Sequence, residues 1–139
     1  MPVAPVGLHL VDTSAWILVL RRSGRGTPLW QRVHGLMRSN AAATTGVVRL
    51  EVLRGARNQR HLLHLYGVFS GLHQLPIDEA ACDDAARLGL QLRAAGVSAQ
   101  STDLLIAAVA LRAGAIVVHC DRDFDHIARH VPLLVESHV

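Results

Sequence analysis

A chain of 139 residues, 50% of them hydrophobic, is long enough to bury roughly two thirds of its unfolded surface without staples, and residues 1–139 are expected to form one domain. All 14 basic residues are Arg, which excludes Schiff-base catalysis by Lys and the P-loop, whose signature requires one. A formal charge of +3 with two cysteines favours an anionic partner, nucleic acid above all, and a reduced cytoplasm; no apolar run of membrane-spanning length and no secretory signal are legible.

In chain order, the first strand is expected at residues 7–11, where LHLV runs into Asp12. That carboxylate has two readings: it caps the helix formed by SAWILVL, or it faces a ligand at the carboxyl edge of a parallel sheet. The loop RRSGRG at 21–26 gathers Arg21, Arg22 and Arg25. Thr27 before Pro28 reads as an N-cap with Pro at the first helical position, after which Trp30, Val33, Leu36 and Met37 recur at helical spacing. Residues 41–45 read as a short link into the helix TGVVRLEVLRGAR, which Gly55 weakens or ends, and Leu62, Leu65, Val68, Phe69 and Leu72 mark another helix. Residues 74–77 form a candidate strand. Asp78 is placed to cap a helix closed by Gly96, and Ser101 or Thr102 to cap one that Gly114 ends. AIVVHC at 115–120 is a continuous apolar run, the pattern of a strand covered on both faces, and it too meets an acid, Asp121. The short helix DFDHIAR and a last strand in LLVES follow. Strands alternating with helices predict a three-layer α/β/α sandwich around a mostly parallel sheet of about five strands.

Four of the 11 acids fall at apolar positions. Asp12 and Asp121 end strands on the same edge of a parallel sheet. Glu51 interrupts an apolar helical turn of Val47, Val48, Leu50, Val52 and Leu53, where an unpaired charge is expensive. Asp103 shares a helix face with Ala107 and Ala110 and should point at the sheet. Each has a plain structural explanation, as a cap, a first-turn acid or a partner for a nearby Arg, but the four together are better explained by convergence. Converging carboxylates raise one another's pKa unless cations neutralise them, and Mg²⁺ or Mn²⁺ suits a cluster of oxygens. Asp123 reads either as a fifth acid of the set or as a helix cap. Arg54, Arg57 and Arg60 recur three apart along one helical face near Glu51, where they grip phosphates, meet a partner's acids or stand solvated. With aromatics at 4%, RNA would be bound mainly by shape and backbone contacts.

The segments LVDTSAWI, RLEVLRGAR, STDLLIAAVA and VVHCDRDFDHIA, in this order, closely resemble the four acidic blocks of PIN-domain ribonucleases, in particular the VapC toxins of bacterial toxin–antitoxin pairs. The resemblance spans about residues 8–136. It implies a PIN-like fold and a Mg²⁺- or Mn²⁺-dependent endoribonuclease with Asp12, Glu51, Asp103 and Asp121 as the acidic site; Asp12, Asp103 and Asp121 would ligate metal, with Thr13 and Ser14 as small hydroxyls beside the first acid. It also implies a VapB-like antitoxin seated in an apolar groove after the first strand, a homodimer, and a toxin–antitoxin hetero-oligomer. In one place the chain departs from the pattern: the family usually has Thr or Ser two residues before the last acid, and here it is His119. Two rivals remain open. One is a PIN-like module that binds RNA or protein without cutting. The other is a haloacid-dehalogenase-type phosphatase, although Ser14 stands where that chemistry needs a second Asp and its usual Lys is absent.

Overall fold

The computed structural model describes residues 7–139; the first six residues of the expected domain lie outside the described part. Five strands, β1 (His9–Val11), β2 (Ala42–Thr45), β3 (His73–Leu75), β4 (Ile116–His119) and β5 (Val135–Ser137), form a single sheet in the order β3-β2-β1-β4-β5. All four pairings are parallel. Consecutive residues of a strand point to opposite faces, and in β2 all four are buried, as are the last three of β4. Both faces of the sheet are therefore covered, as the three-layer reading requires. The chain order runs outward from β1 through β2 and β3, then returns to place β4 on β1's other side. The crevice between the carboxyl ends of β1 and β4 is thus the topological switch point, where open α/β sheets bind their ligands.

Seven helices complete the layers: α1 (Thr13–Leu20), α2 (Pro28–Arg38), α3 (Gly46–Leu53), α4 (Gln59–Ser70), α5 (Glu79–Ala94), α6 (Ser101–Ala113) and α7 (Arg122–Ala128). Caps follow the sequence closely. Thr27 accepts the Trp30 N–H ahead of Pro28, Asp78 accepts that of Ala81, and Gly114 ends α6 in the left-handed conformation at φ 65°. Trp16 and Phe69 pack with ring centroids 5.2 Å apart, and Leu10, Val33, Val48, Val117 and Ile127 are fully buried in the same core, each worth roughly 1.5–3 kcal/mol. No helix among the described residues is long and apolar enough to cross a membrane.

Three expectations need correction. Residues 42–45 are not part of a link but the strand β2, pairing His9 with Ala42 and Ala43 with His73. Ala-Ala-Thr-Thr carries neither alternation nor a run of bulky apolar residues, so no strand pattern is visible in it, although all four residues are buried. Neither Ser101 nor Thr102 caps α6: the helix already includes both, and Gln100 holds the cap position without a side-chain hydrogen bond. Arg54, Arg57 and Arg60 do not share one helix face. α3 stops at Leu53 with Arg54 as its C-cap, and Asn58, accepting the His61 N–H at 2.9 Å, starts α4 afresh. Arg54 and Arg57 thus belong to the junction and Arg60 to the first turn of α4, all three exposed.

Candidate active site

Asp12 caps α1 and at the same time stands at the carboxyl edge of the sheet. Its Oδ2 caps α1 by accepting the Ser14 N–H at 3.0 Å and the Ser14 hydroxyl at 2.6 Å, and the residue is only 4% exposed at the switch point. Having donated its proton to Asp12, the Ser14 Oγ accepts the Cys120 backbone N–H at 3.0 Å. This single hydroxyl joins the carboxyl end of β1 to that of β4. Across the crevice, Asp121 caps α7 by accepting the Asp123 N–H on Oδ1 at 2.9 Å. From α3, Glu51 reaches the same region and accepts the Thr13 hydroxyl at 3.1 Å.

Asp103 enters from the first turn of α6 and is 8% exposed. Its carboxyl is pushed up to about 7, first by burial and then by Asp12, Asp121, Asp123 and Glu51 in that order. All four of those neighbours are acids, so Asp103 at neutral pH either keeps a proton or shares a cation. The oxygens of Asp103, Asp121 and Asp123 lie within 4.8 Å of one another, the one such group of potential metal ligands among the described residues. Asp12 falls outside this trio, with Oδ2 committed to Ser14, yet it raises the Asp103 pKa more than any other acid does. The expected ligands Asp103 and Asp121 therefore come together with Asp123, which the sequence left between site and cap and which serves as neither α7's cap nor a buried residue. An all-oxygen donor set of this kind fits Mg²⁺ or Mn²⁺.

Two features go beyond what the sequence showed. His119 is fully buried in β4, and its Nδ1 accepts the Asp121 N–H at 3.1 Å; burial lowers its pKa, keeping the ring neutral. On the Glu51 side of the site, two adjoining cavities of about 540 and 820 Å³ share Leu20, Arg21, Arg22 and Arg57. Glu51 lines the larger; Trp16, whose buried indole N–H has no acceptor, lines the smaller. The RRSGRG loop packs tightly on α1 at Gly24, an approach only glycine permits because any Cβ there would collide with the Leu18 carbonyl. The spacing of arginines hinted at a basic surface, but only the packing of α1, α2 and α4 places Arg57 beside Arg21 and Arg22.

Residues 9–130 match the PIN domain family. The chain is 38% identical over 133 residues to VapC ribonuclease Mb1587 of Mycobacterium bovis, covering 92% of this chain and 97% of that one. It is 36% identical over 124 residues to ribonuclease VapC51 of Mycobacterium tuberculosis, covering 86% and 85%. Among solved structures, VapBC2 from Rickettsia felis, bound to a DNA fragment from their promoter, superposes with a TM-score of 0.76 over 94% of this chain and 98% of that one; at 18% identity the likeness is one of fold.

Proposed function

Because the chain belongs to the PIN-domain family and is similar along nearly its whole length to VapC ribonucleases, we propose that it is a Mg²⁺- or Mn²⁺-dependent endoribonuclease, the toxin of a VapBC-type pair. The observation that carries this reading is Asp103, buried at the switch point among four other acids, three of the five within 4.8 Å. Asp103, Asp121 and Asp123 would hold the cation, with Asp12 completing the shell through the oxygen that Ser14 leaves free. When bound, the cation supplies an activated water and neutralises charge growing on the phosphodiester.

The chain's own groups do the rest. Thr13 orients Glu51 at the rim of the acids, where its free oxygen can accept a proton from an attacking water. Ser14 keeps Asp12 and the β4 end in register, and Arg21, Arg22 and Arg57 line the adjoining groove, ready to neutralise phosphates of the strand. Nothing here needs a Lys or a nucleophilic Ser; Ser14, tied to both Asp12 and Cys120, cannot serve as a phosphatase's second acid. The apolar floor of that groove beside the acids also suits a VapB-like antitoxin segment whose acids meet the arginines. We further propose one PIN domain over residues 1–139, a homodimer that assembles with its antitoxin, and a cytoplasmic setting.

The test is to strip the purified chain of any partner and incubate it with total RNA in Mg²⁺ and in EDTA. Discrete fragments that need Mg²⁺ are expected. Intact RNA with a folded, metal-supplied protein across varied RNAs would overturn the reading.

A further inference from the structure

We propose that His119 is a positioning residue for Asp121: by accepting the Asp121 backbone N–H, its Nδ1 fixes the turn that presents the Asp121 carboxylate to the cation. The inference rests on the proposed function, and it starts from a fully buried histidine two residues before Asp121. A backbone N–H can only donate, so the 3.1 Å contact makes Nδ1 the acceptor and leaves the proton of the neutral ring on Nε2.

The residue is held at both its ring and its backbone. Phe124 of α7 packs on it with centroids 5.3 Å apart. The His119 carbonyl accepts the His138 N–H at 2.8 Å, just past β5. Nε2 lies 3.3 Å from Asp125 Oδ1, too poorly aligned for a hydrogen bond, while the other Asp125 oxygen accepts the Ser137 hydroxyl at 3.0 Å. Orientation set here is passed on, because Asp121 Oδ1 in turn accepts the Asp123 N–H at 2.9 Å. Moving the 119–121 turn would displace both of the acids whose oxygens gather with that of Asp103.

A side chain kept only for packing would behave differently. Burying Nε2 without a good partner is costly, so Leu, which fills similar space without that donor, should then serve as well or better. If the Nδ1 acceptor is what matters, Asn and Thr should replace His119, since both can accept the N–H two residues on.

The experiment has two arms. In metal-free protein with ¹⁵N-labelled histidine, NMR should find Nδ1 of His119 unprotonated and coupled to the Asp121 amide; a proton on Nδ1 would overturn the proposal. For the variants, Mn²⁺ affinity by calorimetry, RNA cleavage and melting temperature are measured together. His119→Leu should stay folded yet lose about 10–100-fold in Mn²⁺ affinity and cleavage, the range for residues that orient metal ligands, whereas His119→Asn and His119→Thr should keep most of both. His119→Leu matching wild type, or a folded His119→Asn failing as badly as His119→Leu, would refute the positioning role. A wild type that neither binds Mn²⁺ nor cuts RNA would instead sink the nuclease reading, and the NMR arm would still decide whether His119 holds Asp121.

Discussion

Replacing Asp103 by Asn should stabilise the metal-free protein while abolishing its activity. The Asp103 carboxyl is pushed up to about 7 by burial and by four neighbouring acids. In the unfolded chain it should titrate near the ordinary value, about 4. Between those values the folded state binds the extra proton, so stability falls as pH rises through this window by at most about 1.4 kcal/mol per unit and levels off above it. Asn carries no such proton. From pH 5 to pH 8 the stability of Asp103→Asn relative to wild type should therefore grow by about 2–3 kcal/mol. Comparing two pH values cancels any pH-independent packing difference between the side chains. The assay is urea denaturation of both proteins in EDTA at the two pH values. Saturating Mn²⁺ should then reverse the order at pH 8 by stabilising wild type alone. A difference that stays flat with pH, or shrinks as pH rises, would refute the claim that a carboxyl is held against its charge by its neighbours.

Thr13→Val removes the hydroxyl that Glu51 accepts at 3.1 Å; cleavage should fall about 10-fold with stability changed by about 1 kcal/mol or less, and an unchanged rate would show that Glu51 needs no orienting. Arg22→Gln with Arg57→Gln should weaken binding of uncut single-stranded RNA in EDTA and lower the salt slope by about 0.7 for each phosphate that is no longer neutralised; an unchanged slope by fluorescence anisotropy would move the strand off this groove. Glu136 is held down to about 2, chiefly by its hydrogen bond from Arg32 and further by His138. That link stabilises above the ordinary Glu value and is lost as pH falls from there toward 2. Arg32→Gln should thus cost up to about 1 kcal/mol at pH 7, given the partners' exposure, and progressively less in acid; a penalty independent of pH would assign it to packing instead.

The acids were legible because they stand at positions that packing alone disfavours. Asp12 and Asp121 stood out as carboxylates closing apolar strands, and Asp103 as an acid on an alanine face. The caps at Thr27, Asp78 and Gly114 were legible for a similar reason, since each satisfies local backbone groups with a residue type suited to little else. β2 was not legible, because Ala42–Thr45 is small-residue sequence whose extended form comes from its neighbours β1 and β3, far away in the chain. The break between α3 and α4 was only half visible: Gly55 signalled an end, but the new start depends on the Asn58 cap. Asp123 joins the trio through a turn held by His119 and Asp121, and the shared groove of Arg21, Arg22 and Arg57 arises where separate helices meet. These are features of tertiary structure, and spacing along the chain does not encode them.

The most direct test of the carboxylate site is the chemistry of the RNA ends it leaves. Attack by a water at a cation-bearing acidic cluster leaves no cyclic phosphate, because the nucleophile comes from outside the RNA; attack by the RNA's own 2′-hydroxyl leaves a 2′,3′-cyclic phosphate. Mass spectrometry of fragments made by the partner-free protein in Mg²⁺ should show 5′-phosphate and 3′-hydroxyl termini, with no fragments in EDTA or from Asp103→Asn. Cyclic-phosphate termini, or the same cuts surviving EDTA, would contradict a cation-dependent nuclease built on these acids.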